Sequence, residues 1–131
     1  MVAATVTINA ALWAVQVPLA LLFLLTGTML LVTPREKLAS GAAWAETFSP
    51  RLVKGVGLLE VLGAAGLVVP LATGIWPWLT PLAAVGLGGL MVGAVTTHLR
   101  FREYPNALAP LAVLLLAAFV AYGRVSVVPA F

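Results

Sequence analysis

Four long apolar stretches, at about residues 8–32, 51–70, 80–99 and 107–124, are separated by short polar or aromatic breaks. Each is close to the roughly 20 residues that carry a helix across about 30 Å of hydrocarbon at 1.5 Å per residue. Inside lipid the backbone must satisfy its own hydrogen bonds, which selects helix for segments of this length. Short connections make consecutive helices antiparallel neighbours. The pattern therefore predicts an all-α fold, an integral membrane four-helix antiparallel bundle, with residues 1–131 as a single transmembrane domain.

The breaks carry their own signals. The first span, about Ile8 to Val32, contains Pro18 and stops at Thr33-Pro34; a proline is tolerated inside a bilayer helix because neighbouring groups re-satisfy the freed carbonyl. In TPREKLASGAAWAETFSP, Thr33 and Glu36 form a capping-box pattern with Pro34 at the first helical position, so a short interfacial helix at about 34–43 is expected before Trp44. Ser49-Pro50 repeats the cap-plus-proline start for the second span, and Thr80-Pro81 does so for the third. Asn106 and Pro110 open the fourth, which ends near Tyr122 or a turn later. The N-terminal MVAATVTINAALWAV lacks the basic region of a signal peptide, so the first span is expected to be retained.

Composition removes whole classes of function. The chain is 63% hydrophobic, with a mean hydropathy of +1.13 and 8% charged residues, against about 25% charged in soluble domains. Its net charge of +3 comes from basic residues scattered at segment ends; they form no nucleic-acid stripe and anchor the spans to the bilayer instead. Cysteine is absent, which excludes thiol redox chemistry, Cys-ligated zinc and iron–sulfur clusters for this chain alone. A redox role needs a bound cofactor or a partner protein. Arg35, Lys37, Arg51, Lys54, Arg100 and Arg102 fall on one face and Arg124 on the other, so by the positive-inside rule both termini are expected outside.

Only a few residues can carry chemistry. Glu60 stands alone in KGVGLLEVLGAAG, ten residues from Pro50 and ten from Pro70, and so about 15 Å from either end of a straight helix. Gly57, Gly63 and Ala64 share its side of the helix, and small residues let helices approach closely. An intramembrane acid must face the bundle interior. Lys54 is turned away and better placed to snorkel to the membrane face, leaving no cation at the level of Glu60. Thr26, Thr96, Thr97, Gln16 and Tyr122 are the nearest polar groups by depth. Without a counter-ion, desolvation favours the neutral acid, which both donates and accepts. Glu60 either binds a polar head group or moves protons, or it is a neutral carboxyl joining helices.

On the third span Gly86, Gly89, Gly93 and Thr97 lie along one direction; the stripe makes a close helix contact or leaves room for a ligand opposite Glu60. His98, the only histidine, is an interfacial side chain or a proton relay beside a cofactor, since one imidazole without cysteine builds no metal site. Trp13, Trp44, Trp76 and Trp78 lie near the expected interfaces, where an aromatic belt is favoured. The candidate binding set is Glu60, Gly57, Gly63, Gln16, Thr26, Gly93, Thr97 and His98, with no catalytic group and no metal ligand among them.

WAETFSPRLVKGVGLLEVLGAAGLVVPLATGIWPWLTPLAAVGLGGLMVGA, followed by HLRFREYPN and FVAYGR, resembles the DoxX-like family of small four-span bacterial membrane proteins. The likeness runs from Phe23 to Arg124, and its most specific parts are Gly57-Leu58-Leu59-Glu60 with Gly63 and the Ile75 to Pro81 turn. It implies a bacterial inner-membrane protein whose relatives include a membrane subunit of a thiosulfate:quinone oxidoreductase and a component of an oxidative-stress complex. Relatives commonly carry a lysine three residues after the glycine corresponding to Gly27, where this chain has Leu30.

The leading expectation is an accessory membrane protein that holds a quinone or another small lipophilic molecule, or anchors a redox partner. The alternatives are a small transport protein with Glu60 on a proton or solute path, and a purely structural bundle. A second copy of the chain is a further candidate partner. A reporter fused to the C-terminus is expected to be active only in its periplasmic form, because the basic residues divide six to one; activity of a cytoplasmic reporter would reverse the orientation.

Overall fold

The computed structural model describes residues 2–130. Helix α1 spans Val2–Val32, α2 Arg35–Gly41, α3 Trp44–Thr47, α4 Pro50–Thr73, α5 Leu79–Arg100 and α6 Leu108–Tyr122. A 3-10 turn at Tyr104–Ala107 leads into α6, and a π-helical turn at Gly123–Val127 extends it. Among the described residues four segments are long and apolar enough to cross a membrane: Val2–Val32, Pro50–Thr73, Leu79–Arg100 and Tyr104–Val127. There is no strand among the described residues, and the four long helices pack as a bundle.

Each long helix buries a stripe with alternating spacings of four and three. On α1 it includes Gln16, Ala20, Phe23 and Gly27; on α4 Val53, Gly57, Glu60, Ala64 and Leu67. On α5 it is Thr80, Ala84, Leu87 and Met91, and α6 adds Ala117 and Val120. This is the seam spacing of left-handed helix packing. The opposite faces expose Leu21, Leu59, Leu62, Leu82, Val85 and Leu115. So much exposed aliphatic surface has no place in water and marks the lipid-facing side of a membrane protein.

The helices neighbour one another in the ring α1, α4, α5, α6. The tightest crossing is between α1 and α4. A Cβ added at Gly57 would stand 2.8 Å from the Gly27 carbonyl and 2.9 Å from Leu30 Cβ, and one at Gly27 would stand 2.7 Å from the Gly57 carbonyl. Both glycines are required because backbone meets backbone. Gly63 faces Leu87 of α5, 2.6 Å from such a Cβ. Glu60 thus lies on the arc of α4 between its two neighbours.

Several ends differ from the sequence expectations. Residue α1 begins at Val2 and runs 31 residues, roughly 46 Å, so it outreaches the hydrocarbon. Thr33 does not cap α2: Pro34 is the N-cap with no side-chain bond, because Thr33 still belongs to the last turn of α1 through its amide to Met29 O, 2.9 Å. The interfacial segment is two short helices, α2 and α3, broken at the extended Ala42. Ser49 does cap α4, its Oγ accepting from Leu52 N at 3.2 Å with proline in the first turn. Thr80 caps nothing, since α5 starts at Leu79 after a turn carrying Trp76 at φ 49°, and its hydroxyl is buried without a partner among the described residues.

Gly57→Ala is expected to cost about 1–3 kcal/mol through overpacking against backbone. Gly93→Ala, whose methyl would meet nothing within 4 Å, is expected to be neutral or to stabilise by up to about 1 kcal/mol, alanine being the better helix former. Thermal unfolding in detergent compares the two; equal losses would contradict the crossing.

Candidate functional site

Glu60 is 6% exposed and points from α4 toward α1. Thr26 Oγ1 donates to Glu60 Oε2 at 2.8 Å, a contact that needs the Gly27–Gly57 approach one residue away. Glu60 Oε1 receives no hydrogen bond from the described residues. Lys54 does not pair with the acid. Its ammonium donates to the carbonyls of Leu30, Leu31 and Thr33 at 3.0, 2.6 and 3.3 Å, closing the C-terminal end of α1 where carbonyls lack helical partners.

Beside Glu60 lies a cavity of about 330 Å³, within the size range of small-molecule sites. It opens between α4 and α5. Val53, Val56 and Glu60 of α4 face Gly89, Gly93, Thr97 and His98 of α5, and Leu30 of α1 with Trp44 and Phe48 of the interfacial segment add to the lining. Gly89 and Gly93, both exposed, widen the space on the α5 side: Cβ atoms there would touch nothing within 4 Å. The glycine stripe therefore makes room instead of a close contact. The glycine that packs on α6 is Gly88, toward Leu114 and Ala117. Gly86 lines a second groove of about 360 Å³, mostly apolar, with Gly63, Gly66 and leucines of α4 and α5.

At the membrane-face end of the cavity, His98 Nδ1 is 2.8 Å from Glu103 Oε2. The turn after α5 makes this pairing. Glu103 N bonds His98 O at 2.8 Å and Arg102 N bonds Leu99 O at 3.1 Å, with Arg102 at φ 57°. That is a Schellman closure with arginine in the left-handed position usually given to glycine, at a cost of about 1–2 kcal/mol. Thr97 Oγ1 donates to Gly93 O at 2.8 Å, keeping its lone pairs for the cavity.

Toward the other face of the bundle the interior closes. Leu19, Phe23, Leu67, Leu87 and Val120 are each at most 3% exposed. Beyond them Arg124 is buried, not an exposed outer-face charge. Its Nε donates to Gln16 Oε1 and its Nη1 to Asn9 Oδ1, both at 2.7 Å, while the guanidinium lies 5.4 Å over the Trp13 ring. Gln16 Nε2 in turn donates to Leu67 O at 2.7 Å. The π-helical turn swings Arg124 inward, and Gly123 permits it because a Cβ there would overlap Leu12.

The structure brings Glu60, Thr26, Gly93, Thr97 and His98 to one place. Gln16 belongs to the Arg124 cluster, and Gly57 and Gly63 are packing positions beside the acid. Trp13 lies under Arg124 and Trp44 on the cavity, while Trp76 and Trp78 are exposed as an aromatic belt requires. Glu103, Phe48 and Asn9 escaped the sequence reading. Asn9, Trp13 and Gln16 share the four-and-three stripe of α1, a signal for a polar cluster; Glu103 gives none until the turn after Arg100 is known.

A family model for the DoxX-like family matches residues 14–120, which include every residue of the cavity. The chain belongs to the DoxX-like family. Comparison with curated proteins and with solved structures finds no match. The family match and the four apolar helices together make this a multi-pass membrane protein in contact with the lipid bilayer. Leu30 lines the cavity beside Glu60 and adds apolar wall there and no counter-ion.

Thr26→Val is expected to lower stability by about 1–3 kcal/mol, because it leaves the buried Glu60 without its donor. Thr26→Ser should keep the bond. In the double variant Thr26→Val with Glu60→Met, thermal unfolding should show a smaller loss than the two single losses added; strict additivity would mean that the two side chains do not interact.

Proposed function

We propose that this protein is a membrane-embedded binding module that holds a small lipophilic carbonyl compound, a quinone being the leading class, with its polar head against Glu60. The observation that carries this reading is the pairing of an apolar, aromatic-edged cavity with one carboxyl oxygen left free beside it. Thr26 occupies Oε2, so a neutral Glu60 carries its proton on Oε1 and offers a donor to a ligand carbonyl. Trp44 and Phe48 supply flat apolar surface at the open end. A bound quinone would supply two-electron, two-proton chemistry; the residues here would hold and orient it and provide the hydrogen bond.

Passage of a solute across the bundle is the weaker reading, because the side chains from Leu19 to Val120 fill the level beyond Glu60 and leave access from one face. With both termini outside a bacterial inner membrane, the cavity would open in the cytoplasmic leaflet. Six of the seven basic residues lie at that end, and the seventh, Arg124, is withdrawn into the bundle.

The test uses substitution at a position where bulk costs no fold. Gly93→Leu should fill the cavity with little change in thermal stability. Protein extracted mildly from its host membrane is expected to retain a quinone-class molecule detectable by mass spectrometry, and Gly93→Leu to lower its occupancy by about tenfold or more, the loss of roughly 1.4 kcal/mol in affinity. Equal retention by both forms, or no lipophilic molecule in either, would reject the assignment.

A further inference from the structure

The cavity contains two titratable side chains, Glu60 at its depth and His98 at its membrane-face end. We infer that His98, oriented by Glu103, is the proton-exchange residue of this cavity and connects the Glu60 carboxyl to water at the α5–α6 connection. The inference deepens the proposed function, since a quinone-class head group needs protons, but the route is carried by the protein's own geometry.

A carboxylate only accepts, so at 2.8 Å the His98 Nδ1 carries the hydrogen and donates it to Glu103 Oε2. That leaves Nε2 as the atom that gains and loses a proton while Glu103 holds the ring in place. The ring is about one-fifth exposed, as is Glu103, so water reaches it. The left-handed Arg102 and the two closing backbone bonds fold Glu103 back onto His98. Strain held at one position is thereby tied to the orientation of one imidazole.

No other charged side chain among the described residues lines the cavity. On α4, Lys54 is spent on the α1 carbonyls; on α1 the wall is Leu30; the interfacial segment offers Trp44 and Phe48; Arg100 and Arg102 are exposed to the outside of the cavity end. Thr97 can pass a proton along only by accepting one, because its own is given to Gly93 O. Glu60 and His98 are separated along the bundle by roughly 10 Å, given the helical rise and their levels on α4 and α5. The cavity of about 330 Å³ that both side chains line is large enough for water, whose side-chain hydrogen-bonding partners there are Glu60, Thr97 and His98, or for a ligand with less water. The proton balance is simple. A proton leaves Glu60 Oε1 over the intervening oxygens, Nε2 takes it, and Nε2 returns it to water at the face; Glu60 is left as carboxylate until the reverse passage.

The test is hydrogen–deuterium exchange of the Glu60 carboxyl in ligand-free protein in liposomes, followed by the infrared carboxyl band that Glu60→Gln removes. The parent is expected to show this band at some point between about pH 5 and pH 8 and to exchange it fast. His98→Ala should slow exchange on the order of a hundredfold at unchanged thermal stability, and added imidazole should restore it. Glu103→Gln should slow it less, as a positioning residue does. Unchanged exchange in His98→Ala, failure of imidazole to rescue a slowed variant, or no carboxyl band in the parent over that range would overturn the inference. Exchange that depends on His98 in a protein that retains no quinone would uphold the relay and reject the ligand instead.

Discussion

Helix α4 can carry a carboxyl at mid-membrane because α1 lies almost against its backbone. At the Gly27–Gly57 crossing the two chains approach to distances no side chain would allow. That approach sets Thr26 within 2.8 Å of Glu60 and brings Lys54 onto the last carbonyls of α1. A polar group in hydrocarbon costs several kcal/mol if unsatisfied, so the acid, its donor and the two glycines form one unit. Any of them alone would be a liability: the glycines would cost helix propensity and the acid would cost solvation.

The same helix meets α5 closely at Gly63 and Gly66 but is loosely packed against it around Glu60, and the contrast makes the cavity. Gly88 sits against α6, but Gly89 and Gly93, on the neighbouring arc of α5, face space. Small residues therefore do opposite things one residue apart. In membranes the helix-to-helix attraction comes from packing and polar contact and not from the exclusion of water, so a gap between two helices is tolerated where the contacts above and below it hold. Here they are Leu67 and Leu87 toward one face, while Trp44 and Phe48 of the interfacial segment line the gap toward the other.

Much of the architecture is legible in the sequence because lipid imposes length and composition on each span. The inward direction of Glu60 is legible for the same reason, as is the choice of Thr26 as a nearby polar group by depth. What fails is anything that depends on which neighbour a face meets. The stripe Gly86, Gly89, Gly93 looks identical whether it packs on a helix or borders a void, and periodicity carries no sign to separate them. Arg124 counts as one more terminal charge until the π-helical turn is seen to swing it inward. Thr33 and Thr80 satisfy a cap pattern, yet the Thr33 amide closes the last turn of α1 and α5 already starts at Leu79.

Two buried ionisable groups with opposite surroundings separate site from scaffold. Arg124 is enclosed: two amide oxygens and an indole face surround it, and Gln16 links it on to the Leu67 carbonyl of α4. It ties α1, α4 and the end of α6 together where α1 and α6 otherwise touch least. Its Nη2 is also buried, without a partner among the described residues, and at 2% exposure the group is closed off and acts on the fold. Glu60 has one oxygen held and one free, and the free side borders space of molecular size. Close packing fills interiors almost everywhere, and a fold that needed Glu60 only as a link between helices could have filled that space with side chains on α5. The glycines keep it open, which places the functional weight on the carboxyl and leaves the arginine to the scaffold.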